Sequence, residues 1–147
     1  MSDGAKFVQA DRLLDAAAAG PKWLANPGIA QAVMDVPLDG ERRGYYELGA
    51  WVLMPNHVHL VLYPDIELAR AVNAIKRNAA AEANRLLSRN GPCWAKDYFD
   101  RWIRNQDEER RITRYIENNP VKAGLCRTPE DWPWSSAGRG ERRVSSP

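Results

Sequence analysis

The chain reads as an α+β fold, an antiparallel sheet with helices on one face, and three observations carry that reading. Tyr45 to Met54 is rich in aromatic and β-branched residues, and Pro55-Asn56 links it to a second such run, His57 to Tyr63. Two strands across so short a turn form an antiparallel hairpin. Leu68, Val72, Ile75, Ala79, Ala83 and Leu86 recur every three or four residues, the apolar stripe of one long helix. Hydrophobic residues make up 44% of the 147, enough for one domain with a real core.

Taken in order, Lys6-Phe7-Val8-Gln9 is a short strand candidate. Asp11 can N-cap a segment through Leu13, Leu14 and Ala16–Ala19 that Gly20-Pro21 stops. Asn26-Pro27 pairs an N-cap with proline at the first helical position. That helix is expected to run through Ile29, Ala32 and Val33 to Val36, with Pro37 stopping it and Asp39 to Gly44 forming a turn. After the hairpin, Pro64-Asp65 begins the long helix, Ile66 to Ser88, which Asn90-Gly91-Pro92 ends. Cys93 to Arg104 alternates aromatics and charges, and a strand is expected over Tyr98 to Ile103. Asp107-Glu108-Glu109 suit the positive end of a last helix, which runs through Ile112 and Ile116 to Asn118, with Pro120 marking its end or a kink. With a strand at Phe7-Val8 the order becomes strand-helix-strand-strand-helix-strand, the ferredoxin-like pattern. Residues 1–137 are expected to form a single domain and 138–147 a disordered tail.

Composition excludes several classes. No apolar run approaches the roughly 20 residues of a membrane helix, and MSDGAKF lacks a secretory pattern. A cytoplasmic protein without a membrane role is expected. Cys93 and Cys126 form no CxxC pair. No glycine-rich P-loop is present, so no nucleotide cofactor is expected. Residues 1–69 carry 5 basic and 9 acidic side chains, a net of −4; residues 70–147 carry 16 and 10, a net of +6. A basic second half suits a polyanion such as nucleic acid, or is simply a solvated surface.

Both histidines of the chain, His57 and His59, sit at the start of the second hairpin strand. Alternation puts them on one face, side by side, which suits a metal ion. The same spacing also fits two half-exposed strand histidines. Tyr115 and Asn119 are four residues apart and share a helix face distinct from the Ile112/Ile116 stripe. A tyrosine ring at the core edge and an asparagine capping the helix end would look the same.

Together these segments resemble a known family. Met54-Pro55-Asn56-His57-Val58-His59-Leu60, followed by Tyr115-Ile116-x-x-Asn119-Pro120-Val121-Lys122-Ala123-Gly124, is similar to the single-tyrosine HUH transposases. Within them it most resembles the REP-associated tyrosine transposases of the insertion-sequence-200-like superfamily. Trp94-x-x-x-Tyr98-Phe99-Asp100-Arg101-x-Ile103-Arg104 and Trp132-Pro133-Trp134-Ser135-Ser136 match in order and spacing, so the resemblance spans residues 7–137. It implies an HUH endonuclease-type fold, one divalent cation (Mg or Mn) on His57, His59 and the Asn119 amide, and Tyr115 as nucleophile. Its implied substrate is single-stranded DNA, often beside a hairpin, cut through a 5′-phosphotyrosine link. Lys76, Arg77, Arg101, Arg104, Arg114 and Lys122 are the basic candidates for DNA contact, and members act as monomers or homodimers. The sequence departs from the family at its start, where only Phe7-Val8-Gln9-Ala10 matches the end of a full central strand. A domesticated hairpin-binding protein and a metal-dependent hydrolase with a structural Tyr115 are the rival readings.

Overall fold

The computed structural model describes residues 7–11, 23–90 and 99–138, with side chains described over 24–90 and 103–138. Among them are the strands β1 (Phe7–Asp11), β2 (Tyr46–Met54), β3 (His57–Pro64) and β4 (Phe99–Ile103). The helices are α1 (Pro27–Arg42), α2 (Leu68–Leu87), α3 (Gln106–Glu117) and the single turn α4 (Asn119–Lys122). The sheet order is β2-β3-β1-β4, with every pairing antiparallel. This is the ferredoxin-like arrangement, with α3 and α4 added after it. The short β1 lies inside the sheet, three of its residues facing β3 and five facing β4. The helix expected around Leu13 to Ala19, the start of the Cys93–Arg104 segment and the tail after Gly138 fall outside the described residues.

Helices on one face describes α1 and α2, but not α3. Strand alternation explains the division. Val58, Leu60 and Leu62 of β3 join Trp51 and Leu53 of β2 in a core beneath α1 and α2. Ala50, Val52, Met54 and Val61 point the other way and pack with Ile112 and Ile116 of α3. Between Leu48 and Trp51 the β2–β3 register shifts by one residue, a β-bulge. The extra residue reverses the parity of β2, so Tyr46 and Leu48 before it share the α1–α2 core with Trp51 and Leu53 after it.

Pro37 lies inside α1 and does not stop it. A proline inside a helix costs about 3 kcal/mol through its missing N–H. Burial of Ile29, Val33 and Met34 on the same helix offsets this, at roughly 1.5–3 kcal/mol for each large side chain. The start of α1 is as expected: Asn26 Oδ1 accepts from Gly28 N at 2.9 Å and Ile29 N at 3.3 Å, with Pro27 at the first position. The expected turn from Asp39 is therefore the last turn of the helix. It is held to β2 by the buried Tyr46 hydroxyl, which donates to Pro37 O at 2.7 Å. Gly40 makes this approach possible, because a Cβ there would stand 2.6 Å from Tyr46 Cζ. No helix among the described residues is long and apolar enough to cross a membrane.

Gly40→Ala should therefore lower stability, against the roughly 1 kcal/mol that alanine ordinarily gains over glycine in a helix. Urea unfolding should show a net loss of about 1–3 kcal/mol, the usual cost of overpacking. A gain in stability would mean that Tyr46 does not cross the helix there.

Candidate active site

His57 and His59 follow the Pro55-Asn56 turn directly, on the rungs Met54↔His57 and Val52↔His59 of the hairpin. Both face away from the α1–α2 core, toward the side that α3 covers. His59 is 2% exposed and His57 is half-buried. Their rings stand edge to face at 86°, with Nε2 of one 3.0 Å from Nε2 of the other. The Asn119 amide nitrogen, Nδ2, lies 3.5 Å from His59 Nε2. Tyr115 is 49% exposed, its ring 6.0 Å from that of His59 and nearly perpendicular to it. α3 and α4 thus bring an exposed phenol and an amide beside two converging imidazoles.

Asn56 decides which nitrogen His57 offers. Its Oδ1 lies 2.7 Å from His57 Nδ1 and has no proton to give, so Nδ1–H donates. The lone pair of His57 is then on Nε2, turned toward His59. Adjacent corners of an octahedron with ligand bonds of about 2.1 Å are about 3.0 Å apart, the separation of the two Nε2 atoms. Among the described residues no group of three His, Cys, Asp or Glu side chains gathers. The third donor available here is the amide of Asn119. Its nitrogen, Nδ2, is the atom that faces His59 here, so turning the amide over by about 180° would bring Oδ1 to the same place. Two imidazoles and that oxygen would be neutral donors that suit Mn or Mg.

Three links hold α3 in place on this face. Near its start the Tyr63 hydroxyl donates to Glu109 Oε2. Burial, and then that hydrogen bond, push the Tyr63 phenol well above its usual range, so it remains a donor. Ile112 and Ile116 sink between the ends of this contact. At its end, Ser136 Oγ meets Glu117 Oε2 at 2.6 Å. The helix start is built by reciprocal caps: Glu108 N donates to Asn105 Oδ1, and Arg104 N donates to the buried Glu108 carboxylate, both at 2.8 Å.

The basic candidates divide. Arg114, in the last turn of α3, and Lys122, in α4, are exposed on the elements that carry Tyr115 and Asn119. Arg104 is at the far end of α3, 3.6 Å from Glu108. Arg101 pairs with Gln9 through its backbone, and its side chain is outside the described residues. Lys76 and Arg77 lie on α2, which packs on the opposite face of the sheet from the histidines. Arg77 lines an open groove there between α1 and α2 with Arg42, Arg43 and Arg70. Asn56, Tyr63, Glu109, Glu117 and Ser136 carried no functional signal in the sequence beyond the position of Asn56 beside His57 and of Ser136 in the Trp-Pro-Trp-Ser-Ser motif.

Residues 22–119 match the family model described as "Transposase IS200 like". The chain belongs to that family. It is 30% identical over 104 residues to the REP-associated tyrosine transposase of Escherichia coli K12, covering 67% of this chain and 58% of that protein. A Haemophilus influenzae Rd protein provisionally given the same name is 28% identical over 103 residues, again over 58% of its length and 62% of this chain. The chain thus spans less than two thirds of these relatives. The structure of a REP-associated tyrosine transposase bound to a REP hairpin superposes with a TM-score of 0.75 at 23% identity, covering 99% of this chain and 84% of that one. The fold of this IS200-like chain is therefore shared with that transposase.

Asn56→Ala should release the tautomer of His57. Long-range 1H–15N NMR of the imidazoles should show Nδ1–H on His57 in the parent chain and a mixture in the variant. An unchanged spectrum would remove Asn56 from the site.

Proposed function

We propose that this chain cuts and rejoins single-stranded DNA at hairpin-forming sequences, with Tyr115 as the nucleophile and one divalent cation on His57, His59 and Asn119. The observation that carries this reading is the convergence of an exposed tyrosine and three neutral side chains, drawn from β3, α3 and α4, in a family of transposases. The hairpin-bound relative of like fold supports hairpin DNA as the substrate class.

A phosphodiester resists attack because its charge repels nucleophiles and its alkoxide leaves poorly. A bound cation polarises the scissile phosphate and offsets charge in the transition state. His57, His59 and Asn119 would hold it without cancelling its charge, since all three side chains are neutral donors. Tyr115 Oη attacks phosphorus and gives up its proton; the bond from phosphorus to the 3′-oxygen breaks, and that oxygen leaves with a proton as a free 3′-hydroxyl. The 5′-phosphate stays on Tyr115. The phosphotyrosine bond conserves the energy of the cut, so attack by another 3′-hydroxyl reseals DNA and releases the phenol without a nucleotide cofactor. Arg114 and Lys122 flank this position and supply positive charge for the DNA backbone.

The test is a denaturing gel of the full chain incubated with hairpin-bearing single-stranded oligonucleotides and Mn. A covalent protein–DNA adduct is expected, absent in Tyr115→Phe. His57→Ala or His59→Ala should slow its formation by roughly 10³-fold, the equivalent of several kcal/mol of transition-state stabilisation. Binding without an adduct would favour a hairpin-binding protein, and cleavage that survives Tyr115→Phe would overturn the nucleophile.

A further inference from the structure

The Trp132–Ser136 segment runs along the open edge of β2, and its contacts are closely ordered. Trp132 Nε1 donates to Leu53 O at 2.9 Å, and Leu53 N donates to Trp134 O at 2.8 Å. Ser135 forms an antiparallel bridge with Val52. Trp51 N donates to Ser136 Oγ at 3.0 Å. The Ser136 hydroxyl has one proton and two neighbours, Trp51 O at 3.2 Å and Glu117 Oε2 at 2.6 Å. The shorter, charge-assisted bond takes it. Trp132 packs with the cluster beneath α3 and Trp134 with the α1–α2 core, so the segment straddles the sheet edge.

What this edge strap touches is significant. Val52 is bridged by Ser135 on one side and paired with His59 on the other. Trp51, the next residue, holds Ser136, and Ser136 holds Glu117, two residues beyond Tyr115 and two before Asn119. The histidine strand and the tyrosine helix are thus referenced to the same two residues of β2.

We infer that the Ser136–Glu117 link is a positioning device for the proposed reaction, fixing Tyr115 and Asn119 relative to His59. It rests on the functional reading given above for its catalytic consequence, but not for its mechanical one. Neither residue touches the reacting atoms. A displacement of about 1 Å in a reacting group can cost on the order of 10²-fold in rate. A helix end held at one carboxylate is where such a displacement would arise.

Two readouts on the full chain test this. Hydrogen exchange of the segment 114–123, measured without DNA or metal, should accelerate about 10-fold or more in Ser136→Ala and Glu117→Ala, as local opening becomes easier. Single-turnover adduct formation at saturating oligonucleotide should slow about 10-fold or more, while the Kd for the oligonucleotide stays within about 2-fold. Glu117→Gln keeps an acceptor and should recover most of both. Glu117→Ala leaves the β2 edge bonds in place, so it decides the matter if Ser136→Ala unfolds that edge. Unchanged exchange in Glu117→Ala overturns the link, as does a rate loss that appears in Kd alone. If the parent chain forms no adduct, the functional reading fails and exchange alone decides the link.

Discussion

β3 can present His57 and His59 toward α3 only while Val58, Leu60 and Leu62 fill the core beneath α1 and α2, because strand side chains alternate. A slip of one residue would exchange the two sets and bury the imidazoles among leucines. The register is fixed from both sides: by those apolar side chains below, and by Val61 and Tyr63, which share the histidine face and pack with the α3 cluster. The bulge in β2 is part of the same constraint. It lets Tyr46 and Leu48 join the same core as Trp51 and Leu53, so the strand changes parity without giving up burial on either side.

Among the described residues, the apolar part of the second face is Ala50, Val52, Met54, Val61, Ile103, Ile112 and Ile116. Polar links at the two ends of α3, Tyr63 with Glu109 and Glu117 with Ser136, bracket that patch. A helix held at both ends over an apolar contact can carry an exposed tyrosine without burying it. This division of labour leaves the phenol of Tyr115 exposed while Ile116, its neighbour, is fully buried.

Much of this was legible in the sequence where periodicity or local chemistry decides the outcome. The hairpin, the long α2 stripe, the Asn26-Pro27 start and the shared face of His57 and His59 all follow from spacing within one segment. Helical spacing puts Tyr115 and Asn119 on one face of one helix; in the structure Asn119 opens the next turn, α4, and both side chains lie near His59. Pro37 misled because the signal for stopping is local, whereas the burial that carries α1 past it is tertiary. The face occupied by α3 was not legible, since an apolar stripe does not say which side of a sheet it meets. The Ser136–Glu117 link joins side chains 19 residues apart, with Ser136 itself held by the backbone of β2, and no single-segment pattern encodes that. Lys76 and Arg77 looked like site residues only by charge; the fold puts them on the far face, where the groove between α1 and α2 also carries Asp35, Asp39 and Glu82.

Those carboxylates make the most direct experiment a competition between the two faces. Manganese titrated into the isotope-labelled full chain broadens NMR signals near where it binds. Signals of His57, His59, Asn119 and Tyr115 should broaden first, with those of Asp35, Asp39 and Glu82 unaffected until higher concentrations. Broadening that begins at the three carboxylates and spares both histidines would contradict a metal-dependent site between β3 and α3.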